Sequence, residues 1–344
     1  MAPNPPSSAG DTMQFYKYQP SATSYYYFPA ITLTSELWHL HNFYSPHGRL
    51  DKLYWRLLPR RYWLERNCQI VTEEKLDFPY PQILSTEKKG SFMSFRVSDP
   101  GTKNEKIVIL GFDPLTRIPF FAKFVQQPMS MLSVANEINI LKELADSGLV
   151  PALMEYAIKA DYIWLKTAYV LGGTVKNRDI YRLLMRLLKG RKINNILSQN
   201  ITQLAITISR LRTPELREDG LIYVFAHGDF LPQNVLQDRG KLQLIDWETA
   251  GYYPLGYDIF TWIFQPGFTM SNQNWRQVLS RNHRWLKTYF DSFDITNYIP
   301  YLTAFATRYI SYLTTLFPNQ YAIDNCNNLL EFSIDQADFN AHRF

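Results

Sequence analysis

The chain has 344 residues, of which 46% are hydrophobic, and this is enough to form two lobes that each bury a core. Its formal net charge is +5, from 36 basic and 31 acidic residues. A net positive charge this small argues against a nucleic-acid-binding protein. No apolar run reaches the length of a membrane span and the first residues lack a signal-peptide pattern, so we expect a cytoplasmic protein. Cys68 and Cys326 have no metal-ligand spacing, so we expect free thiols in a reducing compartment.

The first 80 residues form a predicted N-terminal extension, and its start, up to about residue 14, has the Pro, Ser and Gly content of a disordered segment. Tyr, Phe and Trp are dense between residues 15 and 79, and exposed rings at this density would promote aggregation. We therefore expect the extension to pack on the core that follows, with a helix within residues 50–64. The alternative is a subdomain that binds the substrate or a partner.

Residues 81–170 form a predicted β-rich lobe. Lys123 lies inside an apolar strand, and because a buried unpaired ammonium is costly, it requires an anion nearby. The helix that begins near Met131 offers Glu137 or Glu143 for this pairing; the alternative is that the lysine extends to solvent from an edge strand. The predicted strands of this lobe are Gln82–Ser85, Ser91–Val97, Ile107–Leu110, Phe120–Phe124, Ala157–Ala160 and Tyr162–Val170.

Residues 171–344 form a predicted helical lobe, which the double glycine at 172–173 separates from the β-rich lobe. Apolar residues at helical spacing from Ile193 to Leu211 predict a long helix. A basic helix is predicted for Asp179–Leu188, and we interpret its charged face as solvated; contact with an acidic substrate is the alternative. Further helices rich in aromatic residues are predicted for Asn274–Phe290, Ile299–Phe317 and Tyr321–Phe339.

Polar residues concentrate between short apolar strands in the segment Val224–Asp258. The sequence Asp238–Gly240 is a turn signal between two of these strands, which predicts a β-hairpin. Folding the hairpin about Arg239 sets Val235 opposite Gln243. In this arrangement the polar residues before and after the hairpin meet at its open end.

The residues that converge there are Asp229, Asn234 and Asp246. Carboxylate and amide oxygens suit Mg²⁺, and a further carboxylate beside the cation can act as a base. The spacing of five residues between Asp229 and Asn234 is that of a kinase catalytic loop, where an aspartate accepts the proton of the substrate hydroxyl and an asparagine binds metal. The alternative is that these are turn residues that close the strands.

At these positions the sequence resembles the aminoglycoside phosphotransferase and choline kinase family. The catalytic loop of that family has the form HGDxxxxN and its metal segment the form IDWE, which stand here as His227–Asn234 and Ile245–Glu248. The resemblance covers about residues 81–264. It implies an α+β, two-lobed, protein-kinase-like fold: a small antiparallel β N-lobe and a mainly helical C-lobe, preceded here by the aromatic N-terminal extension.

The resemblance also implies roles for individual residues of the loop. Asp229 would be the catalytic base, and Asn234 and Asp246 would be the Mg²⁺ ligands. His227 belongs to the catalytic group and is interpreted as a residue that orients it, in preference to a proton carrier. Asp258 is interpreted as the residue that begins the next helix and braces the catalytic loop, in preference to a catalytic role.

A nucleotide site is implied in the β-rich lobe. Lys123, oriented by Glu137, would contact the α- and β-phosphates of ATP. Gly90 and Ser91 lie in the loop after the first predicted strand, where backbone N–H groups would meet the phosphates; the alternative there is an ordinary hairpin. The adenine would lie near the crossover from Ala168 to Leu171, which offers backbone groups to its edge.

The implied activity is transfer of the γ-phosphoryl group of ATP, with Mg²⁺, to a hydroxyl of a sugar, amino alcohol or aminoglycoside-like acceptor. Phe230 stands where many relatives have Leu, as in bacterial phosphotransferases encoded with surface-polysaccharide enzymes, and this likeness implies a sugar or glycan. The alternative is a nucleotide-binding pseudokinase or scaffold that acts through the aromatic N-terminal segment, but three intact catalytic positions argue against it. A protein kinase is disfavoured, because the twelve residues from Asp246 to Asp258 are too few for an activation segment.

Overall fold

The computed structural model describes residues 13–21, 24–31, 37–41, 60–86, 91–170, 173–174, 201–238, 241–270, 273–316 and 319–341. The chain divides into two compact units, Met1–Leu171 and Gly172–Phe344. Within the described ranges, no helix is both long and apolar enough to cross a membrane. Both cysteines are free, as predicted, and burial raises the pKa of the Cys68 and Cys326 thiols to about 12.

The first unit is built on eight strands: β1 (Gln14–Ser21), β2 (Ser24–Pro29), β3 (Gln69–Thr72), β4 (Phe92–Ser98), β5 (Lys106–Asp113), β6 (Ile118–Val125), β7 (Leu153–Ile158) and β8 (Ile163–Ala168). They form one antiparallel sheet in the order β3-β1-β2-β4-β5-β6-β8-β7. Three described helices accompany the sheet: α1 (Arg60–Asn67), α2 (Tyr80–Thr86) and α3 (Pro128–Glu143). The predicted antiparallel β lobe is confirmed, including its closing hairpin β7–β8.

The aromatic N-terminal segment contributes strands to this sheet. β1 pairs with β2 and β3, and β2 pairs with β4. Because successive side chains of a strand point to opposite faces, Phe15 and Tyr27 enter the core against β4 to β6, and both are fully buried. Tyr26 and Phe28 point the other way and pack against Leu64 of α1. The sequence predicted packing but no strands, because rings on both faces hide the two-residue period.

The residues predicted as the first strand of the β lobe form helix α2 instead. Gln82–Ser85 lies inside Tyr80–Thr86, so the strand prediction is wrong. Tyr80 and Ile83, three residues apart, both enter the core, which is helical spacing. The first hairpin after this helix is β4–β5, and residues 99–105 connect its strands.

The second unit contains two small antiparallel sheets and a group of helices. The first sheet has the order β10 (Glu215–Leu216), β11 (Ile222–Ala226) and β14 (Gly251–Pro254), and the second the order β13 (Lys241–Leu244), β12 (Val235–Asp238) and β9 (Gly173–Thr174). The described helices are α4 (201–209), α5 (Tyr257–Met270), α6 (Trp275–Asp291), α7 (Ile299–Leu316) and α8 (Gln320–Ala341).

The three predicted C-terminal helices are confirmed as α6, α7 and α8. Of the long helix predicted from Ile193 to Leu211, residues 201–209 are described and helical. The predicted basic helix Asp179–Leu188 lies outside the described residues.

The predicted hairpin is present as β12–β13, but its register differs from the prediction. Val235 pairs with Leu244, where Gln243 was expected, so the predicted register is wrong. The last pair of the hairpin is Asp238 with Lys241, so the strands are shifted by one residue from the predicted register.

Candidate functional site

His227 fixes the loop that follows β11. Its ring is fully buried, its Nε2 donates a hydrogen bond to the carbonyl oxygen of Ile245 at 3.0 Å, and its Nδ1 accepts one from the backbone N–H of Asp229 at 3.3 Å. Because one ring nitrogen donates and the other accepts, this is a neutral imidazole with both nitrogens engaged in the loop. His227 is therefore a positioning residue for Asp229.

Asp258 braces the same loop from the first turn of α5. Its buried carboxylate accepts hydrogen bonds from the backbone N–H groups of His227 at 2.8 Å and Gly228 at 3.0 Å. Burial raises the pKa of Asp258 to about 7; the two N–H donors oppose this rise, and the charge of Asp229 adds to it. The bracing role expected from the sequence is thus visible in the hydrogen bonds.

The side chains of Asp229 and Asn234 are joined directly. Asn234 Nδ2 donates to Asp229 Oδ2 at 2.8 Å and to the Asp229 carbonyl oxygen at 2.9 Å. The backbone N–H of Asn234 donates to the carbonyl oxygen of Leu231 at 2.9 Å, which closes the loop. Since the amide nitrogen is used within the loop, Oδ1 is the side-chain atom that Asn234 presents as a ligand.

Asp246 lies at the open end of the β12–β13 hairpin, next to Asn234. The backbone N–H of Ile245 donates to the Asn234 carbonyl oxygen at 3.0 Å, which brings the two chain segments together. Asp246 has φ of 69° and ψ of 56°, a left-handed conformation, and leads into the short 3-10 helix Trp247–Thr249. Backbone conformations of this kind are uncommon outside glycine and concentrate at functional sites.

Gly228 packs too closely against neighbouring residues to carry a side chain. It has φ of +83°, and a Cβ atom at this position would lie 2.5 Å from the carbonyl oxygen of Thr249 and 2.9 Å from the hydroxyl of Tyr253. The Thr249 hydroxyl donates to the His227 carbonyl oxygen at 3.2 Å. Thr249 and Tyr253 were not predicted as site residues. The glycine of the HGD motif indicates a close neighbour but does not identify it.

The oxygen atoms of this loop and hairpin fit a hard divalent cation. Asn234 offers an amide oxygen and Asp246 a carboxylate, and the backbone hydrogen bond from Ile245 to Asn234 holds their chain segments together. Mg²⁺ prefers oxygen ligands and binds through one or two carboxylates while keeping water or phosphate oxygens. Asn234 and Asp246 are therefore residues that could hold Mg²⁺, and Asp229 lies next to Asn234.

In the first unit, Lys123 of β6 forms a buried ion pair with Glu137 of α3. The distance from Nζ to Oε2 is 2.7 Å, and the two side chains are only 5% and 6% exposed. The sequence left Glu137 and Glu143 as alternative partners, and the structure pairs the lysine with Glu137 while Glu143 is exposed. The pair holds the ammonium group in a fixed position on the sheet.

The other predicted nucleotide residues are described only in part. Ser91 is buried before β4, whereas Gly90 and Leu171 lie outside the described residues. Ala168 is half-buried at the end of β8. Because residues Tyr80–Thr86 form helix α2, the first strand of the hairpin on which the assignment of Gly90 and Ser91 depended is not present. Their contact with a nucleotide stays a prediction.

A protein-family model matches the part of the chain that carries the catalytic loop. The model of the phosphotransferase enzyme family matches residues 175–292. A solved aminoglycoside-3'-phosphotransferase of type VIII is 16% identical, with a TM-score of 0.36, over 66% of this chain and 88% of that chain. No curated protein matches the chain. The family match confirms the resemblance drawn from the HGDxxxxN and IDWE motifs.

Proposed function

We propose, from the match of residues 175–292 to the model of the phosphotransferase enzyme family, that this chain is an ATP- and Mg²⁺-dependent kinase of a small molecule with a hydroxyl group. The family match supports a phosphotransferase. The use of ATP and Mg²⁺, the role of Asp229 as the base and the identity of the acceptor belong to the proposal.

Asp229 is the proposed base. Its carboxylate accepts the proton of the acceptor hydroxyl while the hydroxyl oxygen forms a bond to the γ-phosphorus of ATP. The bond between that phosphorus and the oxygen bridging it to the β-phosphate breaks, and ADP leaves. Enzymes gain most of the rate of this reaction from positioning and charge neutralisation, so the orientation of the carboxylate matters.

The observation that carries the proposal is the hydrogen bond of 2.8 Å from Asn234 Nδ2 to Asp229 Oδ2. It fixes the orientation of the carboxylate, while His227 and Asp258 fix the backbone of the same loop. A loop that only reverses the chain direction needs no such restraint on its aspartate side chain. A base that must meet a hydroxyl at a defined position does.

The ligand oxygens and the buried lysine support the choice of donor. Asn234 and Asp246 would hold Mg²⁺, which when bound supplies positive charge to the phosphates. Lys123 would contact the α- and β-phosphates, and Glu137 keeps its ammonium group in place. Mg²⁺ and the Lys123 ammonium would each stabilise negative charge, which is what a triphosphate and its transfer require.

The acceptor within this proposal is a sugar, amino alcohol or aminoglycoside-like molecule. The likeness at Phe230 to polysaccharide-associated phosphotransferases favours a sugar or glycan. The Phe230 ring is fully buried, with its centroid 5.3 Å from that of Trp262, so this side chain packs the core of the unit. Residues at the surface near Asp229 are a more direct guide to the acceptor.

The test is ATP turnover with Mg²⁺ in the presence of sugars, amino alcohols and aminoglycosides. We expect Asp229→Asn to lower acceptor-stimulated turnover by about 100-fold or more, since this is the scale of a lost general base. Asp291→Asn removes an exposed carboxylate of α6 and is expected to leave turnover unchanged. Equal turnover in the Asp229→Asn variant would contradict its role as the base. ATP binding without turnover on any acceptor would favour the scaffold alternative.

A further inference from the structure

Arg308 is the one charged residue of helix α7, and it is exposed. Its guanidinium carbon lies 4.4 Å from the ring centroid of Tyr253 and 6.0 Å from that of Tyr257. In the described part of the chain, no carboxylate pairs with this arginine. Aromatic rings attract the flat face of a guanidinium group. The N–H groups at the edge of the guanidinium remain able to donate hydrogen bonds to another partner.

The two tyrosines connect Arg308 to the catalytic loop. The rings of Tyr253 and Tyr257 lie 4.3 Å apart. The Tyr253 hydroxyl donates to the carbonyl oxygen of Thr249 at 2.8 Å and lies 2.9 Å from the point at which Gly228 would carry a Cβ atom. Gly228 directly precedes Asp229. One tyrosine side chain therefore spans the space between the arginine and the loop of the proposed base.

Two further tyrosines of α7 lie within electrostatic reach of the loop. The rings of Tyr309 and Tyr312 are stacked, with centroids 5.7 Å apart. Burial raises the pKa of both phenols, and the charge of Asp229 adds to the rise in each. The Tyr309 hydroxyl is buried and has no hydrogen-bond partner among the described residues. Because Tyr309 is only 1% exposed, the half-buried Tyr312 is the one of the two that a ligand can reach.

We infer that Arg308 binds an anionic group of the acceptor, and that Tyr253 and Tyr312 line the remainder of the acceptor site. The inference rests on the proposed kinase function and narrows its substrate class. The acceptor is a hydroxylated molecule that carries a carboxylate or a phosphate, and an acidic sugar has this chemistry.

The side chains of this region disfavour a polycationic acceptor such as an aminoglycoside. A cationic acceptor needs carboxylates, but α7 has none, and the single carboxylate of α5, Asp258, is buried under the catalytic loop. The planar guanidinium of Arg308 matches the oxygens of a carboxylate or phosphate. Tyrosine rings offer flat apolar faces and hydroxyl groups, which suit a sugar ring and its hydroxyls.

The test is calorimetric binding of four sugars that share one ring and differ in charge: glucose, glucosamine, glucuronate and glucose 1-phosphate. We expect the wild type to bind one or both anionic sugars at least tenfold more tightly than glucose or glucosamine. Arg308→Gln is expected to remove this preference, and Arg308→Lys to keep part of it. Arg284→Gln, which removes an exposed arginine of α6, is expected to retain it. Comparison of the affinities for glucuronate and glucose 1-phosphate shows whether the site prefers a carboxylate or a phosphate.

Tighter binding of glucose or glucosamine by the wild type would overturn the inference, as would no binding of either anion. An equal loss for all four sugars in Arg308→Gln would overturn it too. Turnover of the same sugars distinguishes failure of this inference from failure of the kinase proposal. A rise in KM for the anionic sugar at nearly constant kcat in Arg308→Gln supports the inference. If the anion binds through Arg308 but Asp229→Asn phosphorylates it as fast as the wild type, the base assignment fails and the binding site stands.

Discussion

Asp258 links the ionisation of one residue to the stability of the catalytic loop. Burial raises the pKa of its carboxyl from 3.8 to about 7 in the folded protein. Between these values the folded protein retains a proton that the unfolded chain has lost, so the contribution of Asp258 to stability is greatest below pH 4 and falls as the pH rises to 7. A pKa unit corresponds to about 1.4 kcal/mol, so the full change is about 4 kcal/mol.

The comparison that isolates this effect is urea unfolding of the wild type and Asp258→Asn from pH 4 to pH 7. Asparagine keeps an oxygen that can accept one of the two backbone N–H groups but does not ionise. We expect the free energy of unfolding of the wild type to fall relative to that of the variant as the pH rises. A difference between the two proteins that stays constant over this range would contradict the prediction.

At the scale of elements, the Lys123–Glu137 pair joins strand β6 to helix α3 in the core of the first unit. Removing one partner of a buried ion pair leaves the other charge uncompensated and costs about 3 to 5 kcal/mol. Glu137→Gln should therefore lower the free energy of unfolding by about 3 kcal/mol and raise the KM for ATP. Glu143→Gln changes an exposed glutamate of the same helix and should lower it by less than about 0.5 kcal/mol.

Urea unfolding and ATP kinetics of these two variants check the prediction together. A stability loss without a change in KM for ATP would limit the pair to a structural role. Equal losses in the two variants would contradict the pairing itself.

The sequence predicted the long helices correctly but assigned one short segment and one strand register wrongly, because short segments show too little of a periodic pattern. Helices α6, α7 and α8 were predicted because each is long enough to show several turns of apolar spacing. The short apolar run Gln82–Ser85 was assigned to a strand although it is helical, because four residues show neither period clearly. Hairpin β12–β13 was found from its turn residues, but its register depends on the length of the connection, which the pattern does not determine.

For the whole molecule, the N-terminal strands are part of the core and not an appendage. Phe15 and Tyr27 are fully buried against residues of β4 to β6. A fully buried aromatic side chain contributes about 1.5 to 3 kcal/mol, and a typical protein is stable by only about 5 to 15 kcal/mol. Removal of residues 1–31, and with them β1 and β2, should therefore prevent stable folding of the first unit.

Thermal unfolding and solubility of two truncated chains test this prediction. A chain that begins at Met13 keeps strands β1 to β3 and is expected to unfold at the temperature of the full chain. A chain that begins at 32 is expected to be insoluble or to unfold at a much lower temperature. Similar unfolding temperatures for both would contradict a structural role for the N-terminal strands.

The catalytic loop could be identified from the sequence alone, because Asp229 and Asn234 are five residues apart and so short a loop brings their side chains together whatever surrounds it. The resemblance to the phosphotransferase family and the change from a β-rich to a helical unit could also be read from local motifs and periods. Three findings needed the folded structure: the N-terminal rings belong to the sheet, Lys123 pairs with Glu137, and Arg308 lies beside Tyr253, which packs against the catalytic loop. These contacts join residues that are far apart in sequence. They depend on how whole strands and helices pack together, and a local sequence pattern carries no information about that packing.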